Sequence, residues 1–291
     1  MSGNVNSLPQ SARHSLFLAG DALAFAFGFL VRNPGTILRR LAVPALLGCI
    51  ALYVLLWGYC TQLADFIGLP SEGLASRVMG IAAAAILIML LLNAIVVARL
   101  GELLAARAGA SSAFLGISAT AWRIYAADLR LVLAFGIFGV AMLFAVNLLI
   151  RFGAPPIMVA LVSFASWLLL LWLLARCWFF LVPVSLDARG ESVLTVSWRR
   201  SEGLLFPILL ILLVLAGVTL FLLAGSELLL RAAGILSPVP AMLSFAGAIG
   251  LYERNLWPFV LLVSVAYLVG TSLMTAARVK LYQDVADTPM A

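Results

Sequence analysis

The sequence predicts an all-α, polytopic membrane protein with six transmembrane helices. Three observations carry that reading. Of 291 residues, 65% are hydrophobic and 10% charged, with a mean hydropathy of +1.16, a composition outside the soluble classes. Six runs, each free of charge, come close to the ~20 residues that a helix needs to cross a hydrocarbon core. The basic residues also gather in alternate connections, as loops held on the cytoplasmic side do.

Taken in order, the first apolar stretch, Ser15 to Val31, alternates alanine with phenylalanine and carries Asp21 in its middle. That pattern suits a helix lying in the membrane interface better than a span. It should stop near Asn33-Pro34-Gly35, since proline disfavours a helical residue before it. Arg13 and His14 ahead of an apolar run give it some likeness to a signal peptide, but Asp21 within the run argues against cleavage. The six spans are Leu41 to Tyr59, Met79 to Ala98, Leu131 to Ile150, Ile157 to Ala175, Leu204 to Ala224 and Trp257 to Ala276. Val239 to Tyr252 has only 14 residues and reads as a re-entrant or interfacial piece, with a seventh span as the alternative.

With the N-terminus inside, the cytoplasmic connections hold Arg13, Arg32, Arg39, Arg40, Arg99, Arg107, Arg123, Arg130, Arg176, Arg189, Arg199, Arg200, Arg278 and Lys280. The external ones hold Arg77, Arg151, Arg231 and Arg254. A seventh span would move Arg278 and Lys280 outside, so the same asymmetry argues against it. The net charge of +6 is therefore an orientation signal, with no nucleic acid implied. Both termini are expected in the cytoplasm.

An internal repeat is visible. Arg99 is followed 24 residues later by Arg123 of Ala-Trp-Arg, and Arg176 is followed 23 residues later by Arg199 of Ser-Trp-Arg. One transmembrane domain over residues 1–291 would then hold three units, at about 15–99, 112–176 and 190–278. Each unit is an interfacial helix followed by a hairpin. The competing reading is that any six-span protein puts Trp and Arg at its inner border.

Residues able to do chemistry are few. Cys49, Cys60 and Cys177 have neither metal-ligand nor paired-thiol spacing, and His14 is the one histidine. No phosphate-binding glycine loop is present. Asp21, Glu102, Asp128, Asp187, Glu191 and Glu202 fall in the inner connections among arginines, where ion pairing or solvation accounts for them. Catalytic, cofactor-binding and metal sites are accordingly none. Two candidate sets remain: Arg32, Trp122, Arg123, Trp198 and Arg199 for lipid headgroups, and Asn93 as an intramembrane polar site.

From Ala175 to Gly203 the chain resembles the membrane domain found beside bacterial glycerophosphoryl diester phosphodiesterases, and the related YciC-like inner-membrane proteins. The residues that carry the likeness are Arg176, Pro183, Asp187 with Gly190, Ser197-Trp198-Arg199 and Gly203. Asp187-Ala-Arg-Gly190 departs from that family's tight acidic-glycine turn. The resemblance implies a bacterial inner-membrane location and a membrane fold, and it brings no activity, because the enzymes' catalysis lies in a separate soluble barrel.

The expectation is a non-catalytic integral membrane protein that interacts with membrane lipids or organises a membrane partner, including a second copy of itself. A transporter or channel for a small or amphiphilic solute is the alternative, and a membrane-embedded lipid enzyme the third reading.

Overall fold

In hydrocarbon each backbone amide has to be bonded within its own segment, so long apolar runs fold as long helices. The computed structural model describes residues 10–66, 74–104, 118–185, 193–234 and 257–287, and every regular element among them is helical. The helices are α1 (Gln10–Arg32), α2 (Pro34–Phe66), α3 (Leu74–Leu104), α4 (Ala119–Arg151), α5 (Pro156–Arg176), α6 (Val182–Ser185), α7 (Val193–Arg200), α8 (Leu205–Ala232) and α9 (Trp257–Asp287). Six of them, α2, α3, α4, α5, α8 and α9, are long and apolar enough to cross a membrane, and each contains one of the expected runs except that α8 begins at Leu205, one residue inside its run. The protein is a multi-pass integral membrane protein. Val239 to Tyr252 lies outside the described residues, as do Asp187 to Glu191.

Local chemistry sets the breaks. Asn33 separates α1 from α2, and its side-chain amide donates to the Phe29 carbonyl at 3.1 Å, closing the end of α1 where the proline was expected to stop it. The hydroxyl of Ser118 caps α4 by accepting from the Ala121 amide at 3.1 Å. Between α4 and α5 the chain turns through Gly153, whose φ of 70° is the left-handed conformation that costs glycine least, and Pro155-Pro156 then starts α5. Gly203, at φ 72°, makes the equivalent turn between α7 and α8.

Two expectations change. The middle unit has no separate interfacial helix among the described residues: Trp122 and Arg123 stand on the same unbroken 33-residue helix as the third span. No helix-breaking residue occurs between Ala119 and Leu131, whereas Asn33-Pro34 and Gly203 break the chain at the corresponding places of the other units. The second change concerns α1. Its alanines at 19, 22 and 26 are fully buried in one cluster with residues of α8 and α9, so one face belongs to the protein core, while Asp21 stays exposed.

The core is uneven. Its main cluster joins α1, Trp178 and Phe179 of the turn after α5, Ile208, Ile211 and Leu215 of α8, and Leu273 to Tyr282 of α9. A second cluster ties α3 to the first turns of α4 through Ala94, Val97, Ala98, Ala121, Ile124 and Ala127. The rest of α4 and α5 carries large exposed side chains, among them Ile137, Phe144, Phe164 and Trp167. Such a surface requires lipid around it.

Candidate functional site

The uneven packing leaves a space. Because the hairpin meets the other helices near the start of α4 and the end of α5, a cavity of about 630 Å³ opens between them and α3, α8 and α9. Along α9 its wall is a helical stripe, Tyr267, Gly270, Thr271, Met274, Thr275 and Arg278, spaced three and four residues apart. At 1.5 Å per residue that stripe runs about 16 Å along the helix axis, half a bilayer core. Facing it, α8 supplies Leu212, Leu215, Ala216, Thr219 and Leu220 with the same spacing. Leu174 of α5 and Leu220 are 40% and 65% exposed and also line the cavity, so it opens sideways to the apolar surface of the bundle.

The polar groups form a connected set on one wall. Asn93 of α3 donates through Nδ2 to Asp128 Oδ2 at 2.6 Å, and Tyr267 donates its hydroxyl to Asn93 Oδ1 at 3.2 Å. Three helices far apart in sequence thus meet at one amide. Asp128 is buried, at 7% exposure, and Arg278 of α9 acts on it electrostatically. The Arg278 guanidinium sits 4.5 Å from the centre of the Trp178 ring. Two buried donors of these residues, Arg278 Nε and Trp178 Nε1, have no hydrogen-bond acceptor among the described residues. Both nitrogens are enclosed by protein atoms, and the Arg278 guanidinium and the Trp178 ring meet face to face. Cys177, which also lines the cavity, lies just beyond α5, and burial pushes its thiol above the ordinary 9.0.

Asn93 is the one sequence candidate that the fold brings into this site. Arg32, at the end of α1, and Arg123, Trp198 and Arg199 are exposed and dispersed. Trp122 is 52% exposed and packs edge-on to Tyr125 at 5.6 Å. Trp198 has an additional packing role: its ring stands edge-on to Trp172 at 5.2 Å, and the Arg176 guanidinium lies 5.5 and 5.3 Å from the two ring centres. Ser197 donates to the Arg176 carbonyl at 2.8 Å and Arg176 to the Trp198 carbonyl at 3.2 Å. The Ser-Trp-Arg segment therefore closes the C-terminal end of α5.

Asp128 corrects the sequence reading most. Placed among solvated or ion-paired carboxylates of a connection, it is instead a buried acceptor on a continuous helix, because α4 begins at Ala119 and not near Leu131. A signal for this was present. Ala121, Ile124, Ala127 and Asp128 lie on one helical face, so the aspartate continues an apolar stripe. Likewise Arg278, counted as an orientation charge, ends the Tyr267 to Thr275 stripe. Among the described residues no cluster of metal-ligating side chains occurs.

Compared with known proteins, the chain matches no protein-family model, no curated protein and no solved structure.

Proposed function

We propose that this integral membrane protein binds a membrane lipid in the cavity between the α4–α5 hairpin and the other helices. The acyl chains would lie against Leu131, Leu174, Leu215 and Leu220, and the headgroup against Arg278, Trp178 and Asp128. One observation carries the reading: an apolar cavity, open sideways, whose wall also holds Arg278 beside the bonded set of Asn93, Asp128 and Tyr267. A phosphate oxygen is the acceptor that a bilayer offers in greatest supply, and a guanidinium binds it with charge-assisted hydrogen bonds. Arg278 and Asp128 together present both signs of charge, which favours a headgroup that is itself close to neutral overall. No reaction is assigned to the site.

A bacterial inner-membrane location, with both termini in the cytoplasm, belongs to this reading and rests on the arginine asymmetry and on the resemblance over Ala175 to Gly203. Native mass spectrometry of the purified protein tests the binding. Wild type should retain lipid through gentle detergent exchange, and Arg278→Gln should lose at least about 80% of it, as expected from the loss of roughly 1 to 2 kcal/mol. Equal retention by a folded Arg278→Gln protein would refute the proposal.

A second reading, transport of a small or amphiphilic solute, is favoured by the run of Tyr267, Thr271, Thr275 and Arg278 along half a membrane thickness. It predicts solute flux in sealed vesicles that Asn93→Leu abolishes, whereas a binding protein gives no flux in either form.

A further inference from the structure

The charged groups of the cavity wall are one carboxylate and one guanidinium, Asp128 and Arg278. They act on each other electrostatically, but the hydrogen bond that Asp128 accepts comes from Asn93, and the Arg278 guanidinium lies on Trp178. The opposite charges therefore face the space from separate places on α4 and α9. The donors around Asp128 have a fixed order. A carboxylate can only accept, so Asn93 has to present Nδ2 to Asp128 Oδ2, at 2.6 Å, and its own oxygen to Tyr267. The Tyr267 hydroxyl then has to donate, at 3.2 Å. Both side chains are committed in this way, and they serve Oδ2. Oδ1 accepts nothing from the described residues. It is also not enclosed, in contrast to Arg278 Nε and Trp178 Nε1. Asp128 is 7% exposed and lines the cavity, so the remaining exposure of this oxygen is to that space. A buried carboxylate with one neutral donor is far from satisfied, because it carries about four lone-pair sites and a full charge.

We infer that the cavity selects a zwitterionic lipid whose ammonium carries N–H groups, with the ammonium on Asp128 Oδ1 and the phosphate toward Arg278. The inference rests on the lipid-binding reading above and names the headgroup class. N–H donors on a cation make charge-assisted bonds to a carboxylate. A quaternary ammonium has no such donor and is held instead against aromatic faces. The indole of this wall is the ring best suited to that, and Arg278 already covers it at 4.5 Å. An anionic headgroup without an amine satisfies Arg278 alone and sets its charge against that of Asp128.

The test is native mass spectrometry of the full-length protein released from nanodiscs that hold equal amounts of two lipids with identical acyl chains. One is phosphatidylethanolamine throughout, and its competitor is in turn the N-methyl, the N,N-dimethyl and the choline lipid. Wild type should retain the ethanolamine lipid over the choline lipid by about tenfold, the equivalent of one charge-assisted hydrogen bond. The drop should come at the third methyl, since the first two leave an N–H in place. Phosphatidylglycerol as competitor should lose to the ethanolamine lipid by a similar factor. Asp128→Asn should bring both preferences to within about twofold. An even decline with each methyl would make headgroup size the cause and overturn the inference, as would equal retention of all four lipids. A folded Asp128→Asn protein that keeps the full preference overturns it too. The methylation series uses wild type alone, so it decides the matter even where Asp128→Asn does not fold. Lipid retained without preference removes this inference and leaves the lipid-binding reading standing, whereas a wild type that retains no lipid removes both.

Discussion

Helix α9 and the α4–α5 hairpin are both apolar enough to span a bilayer, yet half of the most apolar stretch of α9 is buried and none of that of α4 or α5 is. Mean hydropathy runs opposite to burial here, at 1.9 for α9 and 2.4 and 2.5 for the two helices of the hairpin. What differs is side-chain size. From Ser264 to Ala277, α9 carries the small residues Ser264, Gly270, Ser272, Thr275, Ala276 and Ala277, and backbones can approach closely there. The hairpin carries leucine, phenylalanine and tryptophan, which fill a lipid-facing surface. In a membrane, apolar surface needs no protein partner, so burial follows the small residues and not hydropathy.

The contrast can be broken most severely at Ala277, which is fully buried in the main core cluster. Ala277→Leu should destabilise the fold by about 2 to 3 kcal/mol, measured as a fall in melting temperature in detergent. Leucine at Gly139 in the hairpin, where a Cβ would meet nothing within 4 Å, should change stability by less than about 0.5 kcal/mol. Equal effects at the two positions would contradict the division.

At the boundary between the regions, Asp128→Ala removes the acceptor of Asn93 and the charge opposite Arg278. It should cost about 2 kcal/mol, whereas Asp128→Asn, which keeps an oxygen acceptor, should cost about half as much. Thermal melting of the two variants together separates these. A smaller effect is expected at Gly270, where a Cβ would stand 3.0 Å from Thr219 Oγ1. Because Thr219 also donates to the Leu215 carbonyl at 2.8 Å, its hydroxyl yields little, and Gly270→Ala should cost about 1 kcal/mol.

The least perturbing probe is Cys177. In a background with Cys49 and Cys60 replaced by serine, maleimide should label Cys177 slowly at neutral pH, since burial keeps the thiol protonated. The sign follows from the thiolate being the nucleophile. With the thiol raised above 9.0, labelling should climb about tenfold per pH unit up to that range. A plateau already reached near neutral pH would mean that the cavity wall around Cys177 is open to water.

Much of this architecture was legible in the chain. Charge-free runs of the right length gave each span, and Asn33-Pro34 gave the first break, because backbone bonding in hydrocarbon leaves few options. The site was legible only at Asn93. Asp128 and Arg278 are charged, and counting them by loop hid that each ends a helical stripe facing the same space. Side-chain periodicity carries from a span into its flanking turns, while loop counting stops at the span's edge. The unbroken α4 was missed for the same reason, since the run beginning at Leu131 marks only where charge ends.

The account rests on lipid occupying the space that the hairpin leaves beside α8 and α9. Imaging the protein in a lipid nanodisc, enlarged with a bound antibody fragment, tests this most directly. The predicted result is lipid density inside the cavity, with its headgroup at Arg278 and Trp178 and its chain along Leu131, Leu174 and Leu220. A hairpin closed onto α8 and α9, or lipid confined to the outer faces of the helices, would contradict it.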